Sequence, residues 1–154
     1  MPQMIYEYLL ALHILMAVIW VGGGFAGQVL ISRMQKADPD RMVKTALDFE
    51  WIGTHIYLPA SLVLLLSGIG MVIEGQWGFT TPWVLIGLGG FAATIVTGAG
   101  FAGPQTKKVH ALIEQKGIND PGVQVAMERL FLISRIDLVV LILVVVDMAI
   151  KPGF

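Results

Sequence analysis

The sequence predicts an all-α, polytopic membrane protein, a four-helix bundle, on three observations. Hydrophobic residues make up 56% of the 154-residue chain and charged residues only 14%, against about 25% charged in soluble domains. The apolar residues gather into four runs, 5–31, 52–73, 83–101 and 130–150, each near the ~20 residues that cross a ~30 Å hydrocarbon layer as a helix. None of the runs alternates with the two-residue period of a membrane barrel strand. The mean hydropathy of +0.77 agrees with lipid as the main solvent. Four spans use nearly the whole chain, so residues 1–154 are expected to form a single transmembrane domain, with connecting loops 32–51 and 102–129.

Span one (5–31) has Tyr6, Glu7, Tyr8 and His13 as its only ionisable side chains. No Lys or Arg precedes its apolar core, and the run is too long for the core of a cleavable signal, so it is expected to insert and stay. In the connection that follows, Asp38-Pro39-Asp40 signals a helix start running through 41–51, which makes span two the outer part of a longer helix. Span three ends in Gly98-Ala99-Gly100-Phe101-Ala102-Gly103, an echo of Gly22-Gly23-Gly24-Phe25-Ala26-Gly27 at the end of span one. Two hairpins related by an axis along the membrane normal would give this repeat. Before span four, Asp120 is placed to cap and Pro121 to take the first helical position. Lys151-Pro152-Gly153 ends that helix, and Arg135 reaches outward from its inner boundary.

Charge sets the orientation. Arg33, Lys36, Arg41 and Lys44 lie between spans one and two, and Lys107, Lys108, Lys116 and Arg129 between spans three and four. The connection 74–82 has no Lys or Arg, nor does the segment before span one. Since positive residues stay on the cytoplasmic side, the expected topology is N-out, C-out, in a bacterial inner membrane. The absence of cysteine excludes disulfides, thiolate metal sites and thioether-linked haem. No phosphate-binding loop, Ser–His–Asp grouping or basic aromatic surface for nucleic acid is present.

His13 is the first candidate for chemistry, because an ionisable group at membrane depth is costly and marks a functional site by default. Ala17, Trp20, Gly24 and Gly27 share its helical face. Two readings stay open: an axial ligand to b-type haem beside a wall of Trp20 and small residues, or a histidine hydrogen-bonded between helices. Depth counting places Ser67, Gly90 and Val144 opposite His13, with Met71 and Met148 one turn further out. His55 falls at least ~15 Å away along the normal, too far to complete a bis-histidine site within one subunit. Asp147 is either a carboxylate holding the His13 Nδ1–H or a partner of Lys151 at i+4. Asp137 is expected to pair with Arg135. His55 is assigned to the interfacial aromatic belt and His110 to solvent. Gly23-xxx-Gly27 and Gly90-xxx-Thr94-xxx-Gly98 read as small-residue packing ladders.

The string Leu12-His13-x6-Trp20-Val21-Gly22-Gly23 resembles the first span of CopD-type membrane proteins and of the HemJ type of protoporphyrinogen oxidase. The HemJ likeness covers little beyond that span; it implies a haem held at His13 and electron removal from a porphyrin precursor. The CopD likeness implies copper passage, for which Met16, Met71 and Met148 form no ladder. The whole chain resembles the predicted integral membrane proteins grouped as domain of unknown function 2269. That resemblance rests on Trp20-x-Gly22-Gly23-Gly24, Leu58-Pro59-Ala60-Ser61-Leu62, Ser67-Gly68, Gly103-Pro104, Leu132-x-Ser134-Arg135-x-Asp137 and Lys151-Pro152-Gly153. It implies the architecture and no agreed activity. The expected function is a small b-haem-binding or redox-associated membrane protein, with His13 as ligand and Trp20, Gly24, Gly90, Met71, Met148 and Asp147 around the cofactor. The alternatives are a non-catalytic accessory subunit of a larger membrane complex and a copper or small-solute carrier. Lipid is the expected surround, with a homo-oligomer or larger complex as partner.

Overall fold

A computed structural model describes residues 2–152. All regular structure among them is helical, arranged as four long runs. The first run joins α1 (Pro2–Ala17) to α2 (Gly23–Ala37) through a π-helical turn at Val18–Gly22. The second joins α3 (Pro39–Ile52) to α4 (Leu58–Glu74) through a π turn at Gly53–Tyr57, and the third joins α5 (Pro82–Val96) to α6 (Gly103–Lys116) through one at Thr97–Ala102. The fourth is the unbroken 30-residue α7 (Pro121–Ile150). Three runs, Met4–Gln35, Arg41–Glu74 and Pro82–Lys116, are long and apolar enough to cross a membrane. Of the four spans expected, α7 is the one outside this group, because its apolar stretch carries Arg135, Asp137 and Asp147.

Local chemistry accounts for the ends. The Asp38 carboxylate accepts the Arg41 N–H at 3.0 Å and Pro39 opens α3. Asp120 accepts the Gly122 N–H at 2.8 Å and Pro121 opens α7. In both, a carboxylate satisfies an orphan N–H while proline occupies a position that needs no donor. Segments 32–51 and 102–129, expected as loops with some helix, are helical almost throughout. Lys151 caps α7 in the left-handed region at φ 49°; the Gly153 part of the expected stop lies outside the described residues.

Two of the π turns have a proline behind them. Pro59 and Pro104 each follow a π turn by two residues. Proline offers no N–H to the carbonyl four residues back and its ring crowds that carbonyl, so the helix widens there. The first π turn has no proline; it runs into the glycine triplet Gly22-Gly23-Gly24.

The tightest packing lies at the basic end of the molecule. Met42, Val43, Val109, Val123 and Met127 are at most 1% exposed, in a core shared by α2, α3, α6 and α7. At the opposite end α1 packs along α4 and α5 along α7, with a smaller cluster of Val72, Trp83 and Val84. Large apolar side chains there face outward, Tyr8 at 76% and Ile150 at 70% exposure among them. Water drives burial at the first end, whereas between lipid-exposed helices packing alone must hold the pairs together. The consequence is a space between the α1–α4 and α5–α7 pairs.

Candidate functional site

That space is a cavity of about 570 Å³ whose wall is almost wholly apolar and aromatic. His13, Trp20, Met71 and Met148 line it. Its volume falls in the range of about 300–1,000 Å³ that encloses a cofactor-sized ligand.

His13 reaches it from the middle of α1. Its Nδ1 lies 2.9 Å from the Leu64 carbonyl and 3.2 Å from Ser67 Oγ, and the Ser67 hydroxyl itself donates to the Leu64 carbonyl at 3.0 Å. A carbonyl only accepts, so this network assigns the ring proton to Nδ1. Nε2 then keeps its lone pair, and it has no hydrogen-bond partner among the described residues. Gly68 makes the approach possible: a Cβ there would sit 3.1 Å from His13 Cε1. The histidine thus bonds across helices through Nδ1, as the second reading of the sequence expects.

The end of the cavity away from the basic end is aromatic and cationic. Tyr6 and Trp77 meet edge to face at 5.6 Å, and Trp77 and Trp83 at 4.8 Å. Lys151 Nζ lies 4.6 Å from the Trp77 ring centroid and 5.1 Å from that of Trp83, a cation–π arrangement. The Trp83 indole N–H is buried with no acceptor. This end therefore offers donors and positive charge, while mid-cavity offers the imidazole.

Other expected site residues are placed differently. Gly90 does not border the cavity; a Cβ on it would run into the Val144 γ-methyl, so it serves the α5–α7 contact. Gly24 lies on a second cavity, with Leu138 Cδ1 3.7 Å from its would-be Cβ. Asp147 does not hold His13 Nδ1, because Leu64 and Ser67 already do. Nor does it pair with Lys151: that ammonium stacks on tryptophan, and Asp147 Oδ2 is buried without a partner. Of the expected packing ladders, Gly23 and Gly27 abut the Tyr57 and Phe49 rings, while nothing lies within 4 Å of a Cβ on Gly98.

The remaining ionisable groups sort themselves by partner. His55 stacks on Trp51 at 4.5 Å in an exposed position, as an interfacial residue would. His110 is exposed, as expected, and also meets Glu50, Nε2 to Oε2 at 2.6 Å, which ties α6 to α3. Arg135 faces Ser32 Oγ at 3.5 Å, and the expected Asp137–Arg135 pair does not form. No group of three or more His, Cys, Asp or Glu that could hold a metal ion occurs among the described residues.

No curated protein and no solved structure matches the chain. A family model does, over residues 7–152, its description being a predicted integral membrane protein. The match takes in all four helical runs and both walls of the cavity, and the chain belongs to the DUF2269 family of integral membrane proteins.

Proposed function

We propose that the His13 cavity holds a flat, largely apolar redox cofactor, and that b-type haem fits it best. The observation that carries this reading is the Nδ1–H bond of His13 to the Leu64 carbonyl, which leaves the Nε2 lone pair unused on a side chain that lines a 570 Å³ apolar cavity. A backbone carbonyl on the far ring nitrogen fixes the tautomer and orientation that a metal-ligating histidine needs. Haem needs only one or two protein ligands, whereas an ion bound by side chains alone needs more donors than are grouped here. Met71 and Met148 line the same cavity and would supply further thioether contacts to the group. The buried Trp83 N–H and the Lys151 ammonium suit the carboxylates of a haem edge. When bound, haem would supply one-electron chemistry; the chain's own residues hold, orient and shield it.

The proposal takes the molecule as a four-span bundle in a bacterial cytoplasmic membrane, N-out and C-out, with the basic end inside. The concentration of Arg33, Arg41, Lys44, Lys107, Lys108 and Lys116 at one end supports that orientation. Lys151 and the Trp77–Trp83 pair then lie at the outer interface, where aromatic residues anchor. Protein purified after haem-supplemented expression should carry haem with a Soret band, and His13→Ala should lose it while keeping its helical circular dichroism. A colourless wild-type protein would overturn the assignment. Co-purification of that colourless protein with a larger membrane complex would move the reading to an accessory subunit.

A further inference from the structure

A second cavity of about 310 Å³ lies on the basic side of the first. All three π turns contribute to its wall, through Trp20, through Gly53 and Tyr57, and through Thr97, Gly98 and Ala102. Trp20 and Leu141 line both cavities, so they form the partition between them. Trp20 is held there edge to face against Phe91 at 5.9 Å.

The charged groups of this second cavity have one sign. Asp137 and Glu50 line it, and no Lys, Arg or His does. Thr97 and Thr106 spend their hydroxyl protons on the Ala93 and Ala102 carbonyls, at 2.9 and 3.0 Å, which leaves lone pairs. Gln28 Oε1 is buried with no donor. Glu50, its side chain 42% exposed, stands where the cavity meets solvent and is paired with His110. Carboxylates and an unpartnered amide oxygen beside only neutral donors, Tyr57 and Ser134 among them, call for water or a cation, and π turns are frequent at functional sites.

We infer that this second cavity is a hydrated, cation-selective vestibule, open to the basic face and closed from the His13 cavity by Trp20 and Leu141. It takes small monovalent cations, the proton included, with Asp137 as the group that selects them. Its use as a proton route to the outer cavity rests on the haem reading; its hydration and selectivity do not.

The chain has no cysteine, so single-cysteine labelling tests this directly in the full protein in sealed vesicles. Ser134 lines the cavity one helical turn before Asp137, on the same face. Ser134→Cys should react with an impermeant cationic methanethiosulfonate added at the side where Lys108→Cys reacts. Its preference for the cationic over an anionic reagent, normalised to a free thiol, should be roughly tenfold, the order expected when one carboxylate ~10 Å from the reagent charge favours the cation and disfavours the anion by about fourfold each at an effective dielectric of ~40. Asp137→Asn should bring that ratio close to one. Ala17→Cys, on the outer cavity, should resist the same reagent until Trp20→Ala or Leu141→Ala opens the partition. No reaction at Ser134→Cys, nor at Thr97→Cys as second reporter, overturns the vestibule. A ratio of one with Asp137 intact overturns the selectivity, and an Ala17→Cys already reactive overturns the partition. Labelling needs no haem, so a colourless protein that labels as described keeps the vestibule and loses only the redox reading.

Discussion

At the scale of single residues, His13 bonds Leu64 through Nδ1, the proposal gives its Nε2 the role of ligand, and the account is tested by separating the two. Gly68→Ala would place a methyl 3.1 Å from His13 Cε1, so the ring must turn or retreat. The expected outcome is a folded protein with reduced haem content and a shifted Soret maximum, read by absorption spectroscopy. Asp147→Asn, by contrast, should leave that spectrum unchanged, because the Nδ1 proton is already held by Leu64. A spectral change in Asp147→Asn would restore it as an indirect support for the histidine. The sequence identified His13 through its isolation in an apolar run, and depth counting put Ser67 at its level, where the structure has the two in contact. It could not name the Leu64 carbonyl, since a backbone acceptor has no side-chain signature. It misassigned Lys151 because a cation one turn from a carboxylate looks like an ion pair until Trp77 of the α4–α5 connection and Trp83 of α5 arrive beside it.

At the scale of elements, helix starts were legible and helix defects were not. Asp38-Pro39 and Asp120-Pro121 act through contacts within three residues, so their chemistry is local and readable. Two of the π turns precede prolines, Pro59 inside an apolar run and Pro104 just past one, that read as ordinary residues, and the third has no proline at all. Glycines show the same limit. Gly89 and Gly90 are neighbours on α5, yet a Cβ on Gly89 meets nothing within 4 Å while one on Gly90 strikes Val144. Gly90→Ala should therefore cost about 1–3 kcal/mol through overpacking of the α5–α7 contact, and Gly89→Ala should cost nothing, both measured by thermal unfolding in detergent. At the α6–α7 turn Gly117 has φ 86° and ψ 164°, a region essentially confined to glycine. Gly117→Ala should cost about 1–3 kcal/mol from backbone strain alone. Equal melting temperatures for Gly89→Ala and Gly90→Ala would contradict the packing of α5 on α7.

At the scale of the whole molecule, the cavity follows from how the two ends are held together. A water-driven core clamps α2, α3, α6 and α7 at the basic end, and the α1–α4 and α5–α7 pairs then run apart enough to enclose 570 Å³. Hydropathy gave the helices and charge gave an expected orientation, but a cavity between two helix pairs is a property of their separation, which no span records. The orientation predicts that a reporter active only outside the cytoplasm will work at both termini; activity of a cytoplasm-only reporter at the C-terminus would reverse it. The most direct test of the central claim is the absorption spectrum of His13→Gly with and without added imidazole. The wild-type protein should show a Soret band, the variant should lose it, and imidazole filling the vacated space should restore it. A wild-type protein that takes up no haem, or a variant that keeps its full spectrum without imidazole, would contradict His13 as the ligand.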